Sequence, residues 1–270
     1  MDARPIGVFD SGLGGLTAMK VLRHILPEED IIYFGDTARV PYGTRSAATV
    51  TRFALQDAGF LLQQGVKLIV VACGTVSSIA MEALRQKCPV SVVGIVEPVA
   101  QAAVQVTRNH RIAILGTNAT IRSQAIEREI RRRDAQAEVI GLACPLLVPL
   151  IENGYVRPNQ PLLQAALQEY ISKISCFNID TLILGCTHYP LVAPAIQEML
   201  PNVTLIDSGK AIALATAQIL SDGDLANTPG HVGRHSYHVT DTMSNFATMM
   251  EFFLGEPSDG EIHTVDIDSL

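Results

Sequence analysis

Apolar residues in this chain gather in short continuous runs, separated by stretches in which they recur at helical spacing. The runs at 6–9, 31–34, 68–72 and 91–96 read as strands, as do those at 112–115, 137–142, 181–185 and 204–206. Continuous rather than alternating apolar character fits parallel strands buried on both faces. Strand and helix alternate throughout, which is the βαβ rhythm of a parallel sheet covered by helices. After the eighth run, 210–220 has helical spacing and 221–234 is a connection rich in Gly, Asn and Pro. Residues 235–240 read as a short strand and 245–254 as a closing helix. A tail of this size is expected to return to the first half of the chain.

The second set of four strands repeats the first. Ile6-Gly7-Val8-Phe9-Asp10-Ser11 aligns with Ile112-Ala113-Ile114-Leu115-Gly116-Thr117, Val40-Pro41 with Val148-Pro149, and Cys73 with Cys186, at offsets of 106, 108 and 113 residues. A slowly drifting offset is what a duplication with small insertions leaves behind. The reading is therefore an α/β protein of two pseudo-symmetric, doubly wound parallel-sheet (flavodoxin-like) domains. Residues 1–98 with 208–270 form the first and 99–207 the second. Ligands of open parallel sheets bind beyond the carboxyl ends of the strands, which here places the site between the domains.

At 270 residues and 48% hydrophobic composition the chain can bury a large core, and a net charge of −7 argues against a nucleic-acid surface. No apolar stretch approaches the ~18 residues that span a bilayer. The first strand begins almost at once, leaving no room for a signal peptide. Five cysteines without close pairs do not form a disulfide frame. These features lead to the expectation of a reduced, cytoplasmic protein.

The strand ends carry the chemistry: Asp10-Ser11, Asp36-Thr37, Cys73-Gly74-Thr75 and Cys186-Thr187-His188, with Tyr42-Gly43 in a loop at the same edge. Ser and Thr in such places often cap helices. Capping has no use for a thiol, however, and a cysteine at a helix N-terminus is expected to have its pKa lowered. Two thiols facing across a cleft can take a proton from one side of a carbon and return one to the other. Cys88, Cys144 and Cys176 lack this pairing and read as inert core. Gly12-Leu13-Gly14-Gly15 resembles a dinucleotide turn, but Thr17 stands at the third glycine position and Asp10 would repel a pyrophosphate. Its glycines are better suited to presenting backbone amides to a small carboxylate ligand. No metal-ligand cluster is evident, and His235 and His238 point to opposite sides of their strand.

Together, Asp10-Ser11-Gly12-Leu13-Gly14-Gly15, Gly35-Asp36, Pro41-Tyr42-Gly43, Ala72-Cys73 and Gly185-Cys186-Thr187-His188-Tyr189-Pro190-Leu191 resemble the glutamate racemase family over almost the whole chain. The resemblance implies a cofactor-independent isomerase that interconverts L- and D-glutamate, the D form feeding peptidoglycan synthesis. It implies Cys73 and Cys186 as the catalytic acid/bases, with Asp10, Ser11, Thr187 and His188 as their supports and substrate contacts. Tyr42, Gly43, Gly74 and Thr75 would bind substrate, and Glu152, in Pro149-Leu150-Ile151-Glu152-Asn153-Gly154, matches a position near the family's site. The family commonly has Asn where this chain has Gly74, so a side-chain contact to substrate is missing there. A homodimer is compatible with the resemblance. The short lead before the first strand leaves no long extension of the kind some relatives use to sense a cell-wall precursor, so no such activation is expected. Two other readings stay open at this point. One is a racemase of another small amino acid such as aspartate, and the other is a non-catalytic protein binding an acidic ligand.

Overall fold

The computed structural model describes residues 1–242, 246–258 and 260–269. Ten strands are present among them: β1 Ile6–Asp10, β2 Ile31–Gly35, β3 Leu68–Val71, β4 Ser91–Gly94, β5 Arg111–Gly116, β6 Glu138–Ala143, β7 Thr181–Leu184, β8 Thr204–Asp207, β9 His235–Val239 and β10 Glu261–Thr264. Every pairing is parallel. Two sheets result, ordered β10-β9-β2-β1-β3-β4 and β6-β5-β7-β8. The first four strands and the next four thus follow the same spatial order, as expected for the repeat, and β9 and β10 extend the first sheet outward. The tail returns to the first half as anticipated, through pairing of β9 with β2.

The physical reason for the parallel arrangement is visible in β1, where Ile6, Val8 and Phe9 are all fully buried although they alternate between faces. Ile6 and Val8 join a core that runs through both sheets, while Phe9 belongs to a second cluster beneath helix Ala47–Gln63. That helix starts where the Ser46 hydroxyl accepts the Thr49 amide proton. Helix Ser208–Asp222, capped by the Asp207 carboxylate, packs on helices Leu16–Ile25 and Val96–Val106 and touches β4 and β8. It therefore ties one sheet to the other. A second tie is the Thr17 hydroxyl, which donates to the Thr187 carbonyl at 2.7 Å.

Two expectations are corrected, and a third agrees as far as the described residues reach. The apolar run 91–96 ends as a strand at Gly94, and Val96 opens a helix with Pro98 in its first turn, where a missing N–H costs nothing. The closing helix is observed as Phe246–Leu254, residue 245 lying outside the described residues. Cys176 is exposed at the end of helix Pro161–Ser175 and Cys88 is half-buried, so neither is a core thiol.

Candidate active site

The carboxyl ends of β1, β3, β5 and β7 converge on one pocket of about 270 Å³. Cys73 and Cys186 both line it, one from each sheet. Ser11, Tyr42, Gly43, Gly74, Thr75, Glu152, Thr187 and His188 line it as well, whereas Asp10 is buried just outside the lining and the strand-end pair Asp36-Thr37 does not reach it. No lysine or arginine is found among the described residues that face it.

The two thiols have unlike surroundings. Cys73 lies beyond the end of β3 and precedes the short helix Gly74–Ile79; its thiol donates to the Ser11 hydroxyl at 3.4 Å. Burial pushes this thiol up to about 12, reinforced by the nearby Asp10 charge, and the Ser11 bond and the Val76 amide offset this only in part. The expected lowering at a helix N-terminus therefore does not occur: loss of water outweighs the terminus of so short a helix. Cys186 lies two residues ahead of His188, with Sγ 3.8 Å from Nδ1, and Nε2 of the same ring is 2.9 Å from a Glu152 oxygen. Burial alone would strip His188 of its proton; the Cys186 sulfur and the Glu152 carboxylate outweigh it and raise the ring to about 10. Glu152 remains half-exposed. Beyond His188 the chain makes a one-turn 3-10 helix, Tyr189–Val192, and only then helix Ala193–Met199, so no α-helix starts directly at Cys186.

Asp10 accepts from the Gly12 amide at 3.0 Å and from the Thr187 hydroxyl at 3.4 Å. Burial raises its pKa, and His188 with the neighbouring amides opposes the shift. Its bonds thus bridge the two halves of the pocket wall rather than reach Cys73 directly. Gly14 explains the glycine-rich turn: a Cβ there would stand 2.4 Å from both Nδ1 of His188 and Oγ1 of Thr187. Of the turn, Gly12 faces the pocket, whereas Gly14 seats the backbone against protein side chains instead of a ligand.

Paired strand-end thiols in a small pocket lined by neither lysine nor arginine agree with comparisons to known proteins. The profile of the Asp/Glu/hydantoin racemase family matches residues 16–216. Over all its 270 residues the chain is 44% identical to a glutamate racemase of Geobacter metallireducens, covering 99% of that protein. The chain belongs to the Asp/Glu/hydantoin racemase family. Its fold superposes on a glutamate racemase of Francisella tularensis in complex with D-glutamate with a TM-score of 0.92, at 38% identity over the whole of both chains. For a glutamate racemase of Thermus thermophilus in complex with β-chloro-D-alanine the TM-score is 0.89 at 42% identity, again over both whole chains.

Within this racemase fold the structure also brings in residues that the motifs did not single out as site residues. Thr117 lines the pocket and its hydroxyl lies 3.0 Å from that of Thr75. It is the repeat counterpart of Ser11, so the duplication carried the signal. Cys144 is buried as expected yet also lines the pocket; its thiol reaches the Leu142 carbonyl at 3.6 Å and burial pushes it up to about 12. Phe253, from the last helix, meets the His188 ring edge-on with centroids 5.2 Å apart.

The Tyr42 hydroxyl is engaged by Asp36 and Asp57, which do not line the pocket, so only its ring and backbone are presented inward. Gly74 packs backbone to backbone against the residue before the other cysteine: a Cβ at 74 would lie 2.2 Å from the Gly185 carbonyl oxygen. Gly74→Ala therefore forces the two cysteine turns apart and lowers stability by about 1–3 kcal/mol, the usual cost of overpacking. A reduced urea midpoint at unchanged slope checks this.

Proposed function

We propose that this racemase interconverts L- and D-glutamate through Cys73 and Cys186, with no cofactor, and so supplies D-glutamate for peptidoglycan synthesis. The observation that carries the reading is the placement of two thiols, from equivalent strand ends of two sheets, on one pocket with opposite electrostatic settings. The names of the relatives and the D-glutamate held by one of them favour glutamate as the substrate.

The neutral Cys73 thiol is ready to give a proton, and the His188 cation is ready to balance a negative Cys186 sulfur. With L-glutamate, Cys186 removes the α-proton, the bonding pair stays on the α-carbon and its carboxylate, and Cys73 delivers its proton to the opposite face. D-glutamate leaves, with the proton now on Cys186 and the negative charge on Cys73. The reverse reaction starts from that second form. The α-proton is weakly acidic, so placement and electrostatics must supply the catalysis. Hydroxyls of Ser11, Thr75 and Thr187 and the Tyr42–Gly43 and Gly74 backbone would hold the carboxylates without a full counter-charge, which avoids over-stabilising the ground state. Residues 1–98 with 208–270 and residues 99–207 are the two domains that would bring these walls together.

Proton NMR with L-glutamate in heavy water, alongside L-aspartate, tests the reading. Loss of the glutamate α-proton signal together with decay of optical activity to zero is the expected result. Exchange of aspartate alone would move the substrate assignment, and exchange of neither would leave a binding protein.

A further inference from the structure

Asp57 lies in the middle of helix Ala47–Gln63, fully buried and outside the pocket. A carboxyl in that position is costly to bury unless it is hydrogen-bonded. Asp36, at the end of β2, is equally buried, and the two acids share one tyrosine and one arginine. The Tyr42 hydroxyl donates to Asp36 and lies 3.0 Å from Oδ2 of Asp57. Arg39 donates from Nε to Asp36 at 2.5 Å and from Nη2 to Oδ1 of Asp57 at 2.9 Å. Thr240 closes the far side by donating to Oδ1 of Asp36 at 2.9 Å.

The protons balance in one arrangement. A single guanidinium neutralises a single carboxylate, and a single tyrosine proton can serve only one acceptor. Asp36, held by Arg39, Tyr42 and Thr240, is the carboxylate; Asp57 carries a proton and donates it to the Tyr42 oxygen. Burial, then the Asp36 charge, raises the Asp57 pKa well above its usual range, in the same direction. The chain of donors therefore runs from Asp57 through Tyr42 to Asp36. On its other side the Tyr42–Gly43 loop abuts Thr117 of the second sheet's unit, where a Cβ at Gly43 would approach Cβ of Thr117 to 2.9 Å. The loop is thus fixed from both sides, and its inner backbone lines the pocket.

We propose that Asp57, although remote from the substrate, positions the pocket-facing backbone of Tyr42 and Gly43 through the Tyr42 hydroxyl. The inference rests on the glutamate racemase reading above and adds a positioning residue to it. Loss of Asp57 removes the donor to the buried phenol oxygen and the carboxyl partner of one guanidinium arm, and the loop they hold shifts.

Steady-state kinetics on the full chain with L- and D-glutamate test it, comparing wild type, Asp57→Ala and Asp57→Asn. In Asp57→Ala, KM rises roughly tenfold for both enantiomers, the size of one lost buried hydrogen bond, while kcat stays within about threefold. Asp57→Asn keeps a donor toward Tyr42 and an acceptor toward Arg39, so it restores most of the lost affinity. Tyr42→Phe cuts the same chain from the loop side, raises KM likewise, and combines with Asp57→Ala less than additively. It also decides the matter should Asp57→Ala not fold. Unchanged KM in Asp57→Ala or Tyr42→Phe, or an equal loss of kcat in the Ala and Asn variants with KM intact, overturns the assignment of Asp57. Failure of the wild type to racemise glutamate instead overturns the reading beneath it.

Discussion

With Cys73 replaced by alanine, conversion of L- into D-glutamate slows by roughly 10²- to 10⁴-fold, the range lost with a positioned acid or base. Cys186→Ala causes a loss of the same order. Because the two enantiomers have equal free energy in water, kcat/KM falls by the same factor in both directions for either variant. The surviving chemistry is what tells the variants apart. In Cys73→Ala, the Cys186 side can still abstract from L-glutamate but nothing returns a proton to the opposite face. Exchange of the α-proton in heavy water is then confined to L-glutamate and proceeds with retention. In Cys186→Ala it is confined to D-glutamate. Circular dichroism tracks inversion and proton NMR tracks exchange; full racemisation by either single variant would remove the two-thiol mechanism.

His188→Asn has the next largest effect. Its ring stands 3.8 Å from the Cys186 sulfur and 2.9 Å from the Glu152 carboxylate, held charged to about pH 10 between them. A hydrogen bond to a charged group contributes about 1.5–3 kcal/mol, so kcat/KM drops roughly 10- to 100-fold when asparagine replaces it. The pH dependence supplies the sign. The folded-state pKa is raised above the ordinary 6.5, so the retained proton stabilises the fold fully below pH 6.5, and this contribution is lost as pH rises through about 10. The same proton provides the counter-charge for Cys186. Wild-type kcat accordingly declines as pH passes about 10, and the variant lacks that limb. A pH–rate profile with an identical alkaline limb in both proteins would show that another group titrates there.

Much of this was legible in the sequence because burial and spacing agree. Six of the eight paired runs start at the residue where the strand begins, the repeat reappears as identical strand order, and three of the four strand-end motifs meet at one pocket, Asp36-Thr37 being turned away from it. The misses have physical causes. Strand β10, Glu261-Ile262-His263-Thr264, is exposed along its length, so it has no apolar run to mark it. The direction of the Cys73 shift depends on how much water reaches the thiol, which spacing along the chain does not encode. In the Asp36–Tyr42–Asp57 cluster, Asp36 and Tyr42 stand out as strand-end and loop residues, but Asp57 looks like an ordinary polar residue of a helix and its pairing with them depends on side chains from three elements. Gly74 was visible as a departure from the family pattern, but its contact with Gly185 comes from the opposite sheet.

The unequal settings of the two thiols have a consequence for throughput. On the proposed roles, a molecule that has just released D-glutamate carries its proton beside His188 and its charge beside Asp10, the less favourable of its two free forms. Until its protons rearrange it can accept only D-glutamate, undoing the turnover it has just completed. Resetting of the empty protein is then a step of every turnover, in addition to the breaking of a carbon–hydrogen bond. Between catalytic cycles, each molecule keeps a short-lived memory of the hand it last released.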